Sequence, residues 1–398
     1  MRLAVFSGMH PFGTGNMEGT FNVNKLIRLM LPLLLSSLFL SCSSNARAGV
    51  VYEVQPVSFG ANGPTTAVGI NAAGTVIANS RPNGPSDVIP LIWSNGSIVP
   101  INIPGDRNPT VSAINDSGSV VGHLRPGGGD QVIGFVRDAA GERDLLGVGG
   151  VDAIANDINN QGEIVGTAFH TDGSTQAVIW RKGKPSEIDV EPGFYGSAVA
   201  INQRGDVLGK HMPAYPGDPN VYKGFVWSNG KVIDLPTVGV MDGVPYSSSI
   251  PDAINDSGEV AGRLGVSSNQ YQAAIWINGQ ATDLGTLPGD VTSEATAVND
   301  SGMVVGFSEG KNGTRPFIYQ NGKMSLLDDL LTPDSDMKLS AAIAINNSGQ
   351  ILAIQFHPGV AEAAFLLTPH AVPLPPAGWM ALASLPIVWI ARRRAARI

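Results

Sequence analysis

An Asn-x-x-Gly turn that returns seven times constrains this chain more than any other feature. It stands at Asn71/Gly74, Asn115/Gly118, Asn159/Gly162, Asn202/Gly205, Asn255/Gly258, Asn299/Gly302 and Asn346/Gly349, at intervals of 44, 44, 43, 53, 44 and 47 residues. The clearest unit is 281–327. There SEATAVN alternates small and apolar residues, Asp300-Ser301-Gly302 turns the chain, and MVVGFS runs back. A polar loop follows, then PFIYQ, the Asn321-Gly322 turn, and a last strand ending at Leu326-Leu327. These are four short strands bounded by turn residues. Asn-Asp-Ser-Gly suits a type I turn closed by a glycine at positive φ, and Asn-Gly suits the type I′ hairpin whose twist matches its strands. One meander of this size cannot bury its faces alone, so its copies must stack.

The other units repeat the pattern. After each turn comes a β-branched run, often closed by glycine (Gly122, Gly166, Gly209, Gly262, Gly306). An aromatic strand follows at Ile92-Trp93, Ile179-Trp180, Val226-Trp227, Ile275-Trp276 and Ile318-Tyr319, with the aromatic two places earlier at Phe135 and Phe365. Tight turns come next at Asn95-Gly96, Lys182-Gly183, Asn229-Gly230, Asn278-Gly279 and Asn321-Gly322.

The stretch DLGTLPGDVTSEATAVNDSGMVVGFS at 283–308 resembles the HAF family of bacterial extracellular repeats. That family's pattern is roughly a DLGTLGG-type stretch, an AIND-G-VVG stretch and a His-Ala-Phe-Leu-Trp strand. All seven units carry the Asn-x-x-Gly part, so the resemblance spans about 51–368. The His-Ala-Phe trio is replaced here by QAVIW, KGFVW, QAAIW and RPFIY, with only Ala364-Phe365 close. The resemblance implies an extracellular repeat protein and carries no histidine chemistry with it.

Unit count and chain ends together specify an architecture. Units averaging about 45 residues match a four-stranded propeller blade, and propellers close at about four to eight blades. The seventh unit ends at AAFLLT (363–368) without a fourth strand, while the strand Val51–Val57 precedes the first turn without a partner. Joining the two leaves no exposed edge. The chain is therefore expected to be all-β: a seven-bladed β-propeller of four-stranded blades over 49–371, closed by its N-terminal strand.

The flanking segments read as sorting signals. In residues 1–48, Lys25 and Arg28 precede the apolar run 29–40, and Ala46-Arg47-Ala48 offers a small-x-small cleavage site, as in a signal peptide. Met17 is an alternative start, and Phe39-Leu40-Ser41-Cys42 is the alternative of a lipoprotein box. Cleavage after Ala48 would remove Cys42, the only cysteine, leaving no disulfide and no Cys-ligated metal. At 372–398, Val372-Pro373-Leu374-Pro375 leads into MALASLPIVWIA and the cluster Arg392-Arg393-Arg394. This resembles the PEP-CTERM class in a VPLP variant. It implies a transient transmembrane helix and an exosortase-type membrane protease as partner, with an ordinary C-terminal anchor as the alternative. The expected location is secreted or cell-surface, touching the membrane only through the C-terminal segment.

Composition bounds the function. Hydrophobic residues at 43%, charged residues at 15% and 49 glycines suit a strand-and-turn protein with a large core. Residues 49–371 contain 17 Lys and Arg against 32 Asp and Glu, a net of −15, which argues against a nucleic-acid ligand. No metalloprotease, nucleophile-elbow, P-loop or Cys-pair motif is present, and no helix pattern follows Gly127-Gly128-Gly129. The Asn-Asp-Ser-Gly turns are too short for calcium loops. From sequence the chain is expected to be no enzyme and to need no cofactor or metal.

The remaining signal is in the variable connections, which share one face of a propeller. The 53-residue interval arises from longer connections at 210–224 and 236–250. Tyr195, Tyr215, Tyr222, Tyr246 and Tyr271 are expected in such connections, and Tyr215, Tyr222, Tyr246 and Tyr271 form the candidate ligand site for extracellular polysaccharide or a surface protein. His123, His170, His211 and His357 fall on the same face in different blades. Three classes compete: a binding or structural matrix propeller, a glycan lyase or hydrolase, and a purely structural surface-layer component.

Overall fold

The computed structural model describes residues 50–371, except 60–62, 85–86, 105–106, 129, 191–193, 214–220, 268–269, 333–336 and 357–361. The expected signal peptide and the sorting segment, with Val372, Pro373, Leu374, Pro375, Arg392, Arg393 and Arg394, lie outside the described residues. Among those described, no helix is long and apolar enough to cross a membrane.

Seven four-stranded antiparallel sheets form the blades of a β-propeller. Blades 1 to 6 occupy 65–100, 110–145, 152–188, 194–234, 248–285 and 290–326, with strands in chain order. Blade 7 takes Ala341–Ile345, Ile351–Gln355 and Ala363–Ala371 from the end of the repeat region, and its fourth strand is Val50–Val57. That pairing runs from Val50/Ala371 to Val57/Ala364 without a register break. First strands of successive blades touch all the way round, blade 7 to blade 1 included.

Each blade interface holds its own apolar cluster. Between blades 2 and 3, Val121, Val136 and Leu145 pack on Ala153, Ala155, Ile158, Ile164 and Trp180. Tyr52 of the closing strand is 2% exposed and packs with Leu331, Phe365 and Leu367. Burial pushes its phenol up to about 12. Because every cluster draws on two blades, no blade carries a complete core of its own.

The expected turns form as their chemistry requires. In five blades both central residues of the third-to-fourth-strand hairpin have positive φ, as at Asn95 (48°) with Gly96 (83°) and Asn321 (53°) with Gly322 (76°), the type I′ signature. Every first strand also carries a β-bulge three residues before its turn asparagine, at Val68, Ser112, Asn156, Val199, Asp252, Thr296 and Ile343. The bulge drives a carbonyl toward the second strand, which explains the recurrent glycine there. A Cβ on Gly166 would lie 1.9 Å from the Ile154 carbonyl oxygen.

The turn asparagines do more than turn the chain. Each donates its side-chain N–H to the backbone carbonyl of the equivalent asparagine in the next blade: 71 to 115, 115 to 159, 159 to 202, 202 to 255, 255 to 299, 299 to 346, and 346 back to 71. The distances are 2.9–3.2 Å. The side-chain oxygen meanwhile accepts backbone N–H groups further along its own turn, as Asn159 does from Gln161 (3.1 Å) and Glu163 (3.0 Å). A closed belt of side-chain hydrogen bonds thus fastens one rim of the ring. Most of its polar atoms are used internally, so the belt is a fastening and offers little to a ligand.

Blade 2 departs from the aromatic pattern. Trp180 donates its indole N–H to the Leu146 carbonyl (2.7 Å) and Trp276 to that of Pro236 (2.8 Å). The register equivalent in blade 2 is Arg137, whose guanidinium donates to the Asn102 carbonyl. Phe135 instead occupies the position of Phe225 and Phe317, opposite the second-strand glycine.

Candidate ligand-binding face

The rim opposite the asparagine belt is formed by the second-to-third-strand and blade-to-blade connections. Approaching it, the second-strand residue just after the glycine (or its alanine equivalent) faces the neighbouring blade. The occupants are Asn79, His123, Thr167, Lys210, Arg263, Phe307 and Ile354. Asn79 exchanges two hydrogen bonds of 3.0 Å with the Val111 backbone, and Thr167 bonds Ser197 at 2.7 Å. Blades 6 and 7 place apolar side chains there. Only blades 4 and 5 place lysine or arginine.

Those two cations organise a cluster. Arg263 ion-pairs with Glu294 from the first strand of blade 6, and its guanidinium lies 4.9 Å from the centre of the Tyr271 ring. Lys210 Nζ lies 5.9 Å from the centre of the Tyr222 ring. Asp252, the bulge residue of blade 5, is within electrostatic reach of both cations. Burial raises its pKa, and Arg263 and Lys210 pull it partly back. Its Oδ2 is buried and has no hydrogen-bond partner among the described residues. Beside the cluster, His211 packs between Phe194 (4.8 Å) and Phe225 (5.8 Å), and Lys223 Nζ lies 5.1 Å from the Phe194 ring centre. Aromatic faces polarised by cations, with a buried carboxylate nearby, are what a hydroxyl-rich ligand can stack on and bond to.

The expected tyrosines divide. Tyr222 and Tyr271 are half-buried and belong to the cluster. Tyr222 also ties its backbone to Ser248 and Ser249 of the next blade. Tyr246 is only 4% exposed; its hydroxyl donates to Asp283 (2.9 Å) and lies 3.0 Å from the Gln272 amide. The longer connection at 236–250 folds into a two-stranded ribbon, Val240–Met241 with Val244–Pro245, and Tyr246 anchors it among Leu208, Leu235 and Trp276. An exposed role for Tyr246 is therefore corrected to a packing role. Tyr215 lies outside the described residues. Tyr195 and Tyr271 stand in strands, Phe194–Ile201 and Gln270–Ile277, because those strands extend farther than their turn residues suggest.

Among the described residues the histidines do not converge. His123 has a buried, unpartnered Nδ1 and a pKa lowered by burial and by Arg125; His170 Nε2 sits 3.4 Å from Glu187. His357 lies outside the described residues, among which no three metal-ligating side chains cluster. Lys210, Asp252, Arg263 and Glu294 were missed from sequence. The available signal was positional: aligned on the turn asparagine, Asp252 is the only charged bulge residue. A cavity of about 570 Å³ opens elsewhere, between blades 6 and 7 beside Phe307, Ile354, Phe356 and Glu362.

No family model matches the chain, and no curated protein matches it significantly. Solved structures resemble its fold. Puromycin hydrolase matches at 12% identity and a TM-score of 0.53, over 79% of this chain and 55% of that one. The β-propeller domain of the Trilobed protease from Pyrococcus furiosus matches at 13% and 0.48, over 69% and 84%. The acylaminoacyl peptidase of Pyrococcus horikoshii matches at 11% and 0.47, over 82% and 52%. The chain thus spans about half the length of the two enzymes. The likeness to puromycin hydrolase is one of fold. It corrects the expectation that the chain is no enzyme: an architecture shared with a hydrolase removes the ground for excluding catalysis from missing motifs.

Proposed function

We propose that this chain is an exported cell-surface or matrix protein whose propeller binds an extracellular polysaccharide on the connection rim of blades 4 to 6. The carrying observation is the convergence of Lys210/Tyr222 and Arg263/Tyr271 around Asp252. Support for export comes from the signal-like 1–48, the tail resembling PEP-CTERM, and the repeats resembling the HAF family. On this reading an exosortase-type protease releases the protein from the membrane. A glycan array probed with the purified chain tests the proposal. Glycan binding that Tyr222→Ala and Tyr271→Ala together weaken tenfold or more supports it; binding indifferent to both variants removes it.

A second reading has its own observation. Asp252 is a buried carboxyl with a raised pKa, and it shares Arg263 with a second carboxylate, Glu294, the two residue types that an acid–base pair for glycan cleavage would require. Incubation with polysaccharide and assay of new reducing or unsaturated ends tests it. Product formation abolished by Asp252→Asn favours the lyase or hydrolase; unchanged polymer length removes it.

A further inference from the structure

The charges of the blade 4–6 cluster bear on which polysaccharide it takes. Lys210 and Arg263 supply two positive charges, and Asp252 and Glu294 supply two negative ones. Farther out, Lys223 and Asp234 add one of each sign. Among the described residues the cluster is therefore balanced. A polyuronate would have to displace Glu294 from Arg263, leaving a largely buried carboxylate without its partner, a costly exchange. It would also approach a body carrying a net −15 over 49–371. A polycationic sugar would be repelled by Lys210 and Arg263, which both lie within electrostatic reach of Asp252.

An uncharged polyol avoids both penalties. The buried Oδ2 of Asp252 has no donor among the described residues. A sugar hydroxyl can supply that donor in a charge-assisted hydrogen bond without altering the balance. The half-buried rings of Tyr222 and Tyr271 offer apolar faces suited to the C–H face of a pyranose. Resting on the binding role proposed above, we infer that the ligand is a neutral, hydroxyl-rich polysaccharide and that Asp252 is its principal hydrogen-bond acceptor.

Calorimetric titration of the full chain with three oligosaccharide series of equal length tests this: a neutral glucan, a polyuronate and a de-N-acetylated hexosamine. The expected result is that the glucan binds best, with an affinity that does not change between low and high salt. Tyr271→Ala, which leaves the charges intact, weakens glucan binding by about tenfold. Asp252→Asn weakens it as well and admits the polyuronate, because the cluster then carries one unbalanced positive charge. Tighter, salt-sensitive binding of either charged series by the unaltered chain overturns the inference while leaving a polysaccharide-binding role intact. Failure of all three series to bind overturns both.

Discussion

On one rim of this ring every blade contributes the same asparagine, making the same bond to the same carbonyl of its neighbour. Toward the other rim, the equivalent second-strand positions hold an amide, an imidazole, a hydroxyl, two cations and two apolar side chains. The first rim cannot vary: a belt in which each link both donates and accepts fails at its weakest member, and seven equal links divide the closure evenly. The second rim is under no such demand, since its blades are already fixed by interface packing and by the belt. The lysine and arginine of blades 4 and 5 are therefore a choice of chemistry that closure does not dictate.

The sharpest break of this comparison is removal of the closing strand. Deleting 50–57 strips Tyr52 and Val57 from two interface cores and exposes the edge of Ala363–Ala371. At about 1.5–3 kcal/mol per buried side chain, plus a lost strand pairing, the expected cost is about 5 kcal/mol or more. A urea melt of the truncated chain that overlays the intact one would refute closure through this strand.

Next come the belt asparagines. Asn159→Ala leaves the buried Asn202 carbonyl and the turn N–H groups of Gln161 and Glu163 without their side-chain partner and is expected to cost about 3 kcal/mol. Asn346→Ala breaks the link that joins blade 7 to blade 1 and should cost a similar amount. A large inequality between the two, measured by chemical denaturation, would show that the belt does not share load evenly.

Gly166→Ala probes the bulge. With its Cβ forced to within 1.9 Å of a carbonyl, it is expected to cost about 2 kcal/mol. The counterpart at the connection rim is small: Tyr222→Ala should change stability by less than about 0.5 kcal/mol while weakening glycan binding. Unfolding of that variant would move Tyr222 from ligand contact to scaffold.

Acidity gives a gentler test. Burial raises Asp157 to about 6, with only the N–H groups of Ile201 and Ile158 opposing it. Its folded value lies above its unfolded one, so the folded state takes up a proton first. Stability should rise as pH falls through about 6 and level off below the unfolded value near 4. A gain of about 1 kcal/mol between neutral pH and pH 5 is expected, measured as melting temperature; Asp157→Asn should flatten that part of the profile.

How much of this was legible follows from locality. Asn-Gly and Asn-x-x-Gly encode their turns within four residues, so the blades, their number and the closing strand could be read directly. The belt could not, because each bond joins residues 43 or more apart, and only the near-constant interval hinted at it. Tyr246 misled for the opposite reason. A tyrosine in a long connection reads as exposed until the ribbon at 240–245 folds it under. The Lys210–Asp252–Arg263–Glu294 cluster draws on three blades, and only alignment of the repeats brings its members into view.

The in-register pairing of Val50–Val57 with Ala363–Ala371 has a mechanical consequence. Val50 and Ala371 are direct partners, so the chain enters and leaves the propeller about one strand spacing apart. Pro369 touches the Gly349 turn, which puts that doorway on the asparagine-belt rim. A tether pulling on either end loads the last rungs of one strand pair, and a protease trimming either end cuts outside every blade. Such a ring can be held by its doorway while the opposite rim stays clear of the tether.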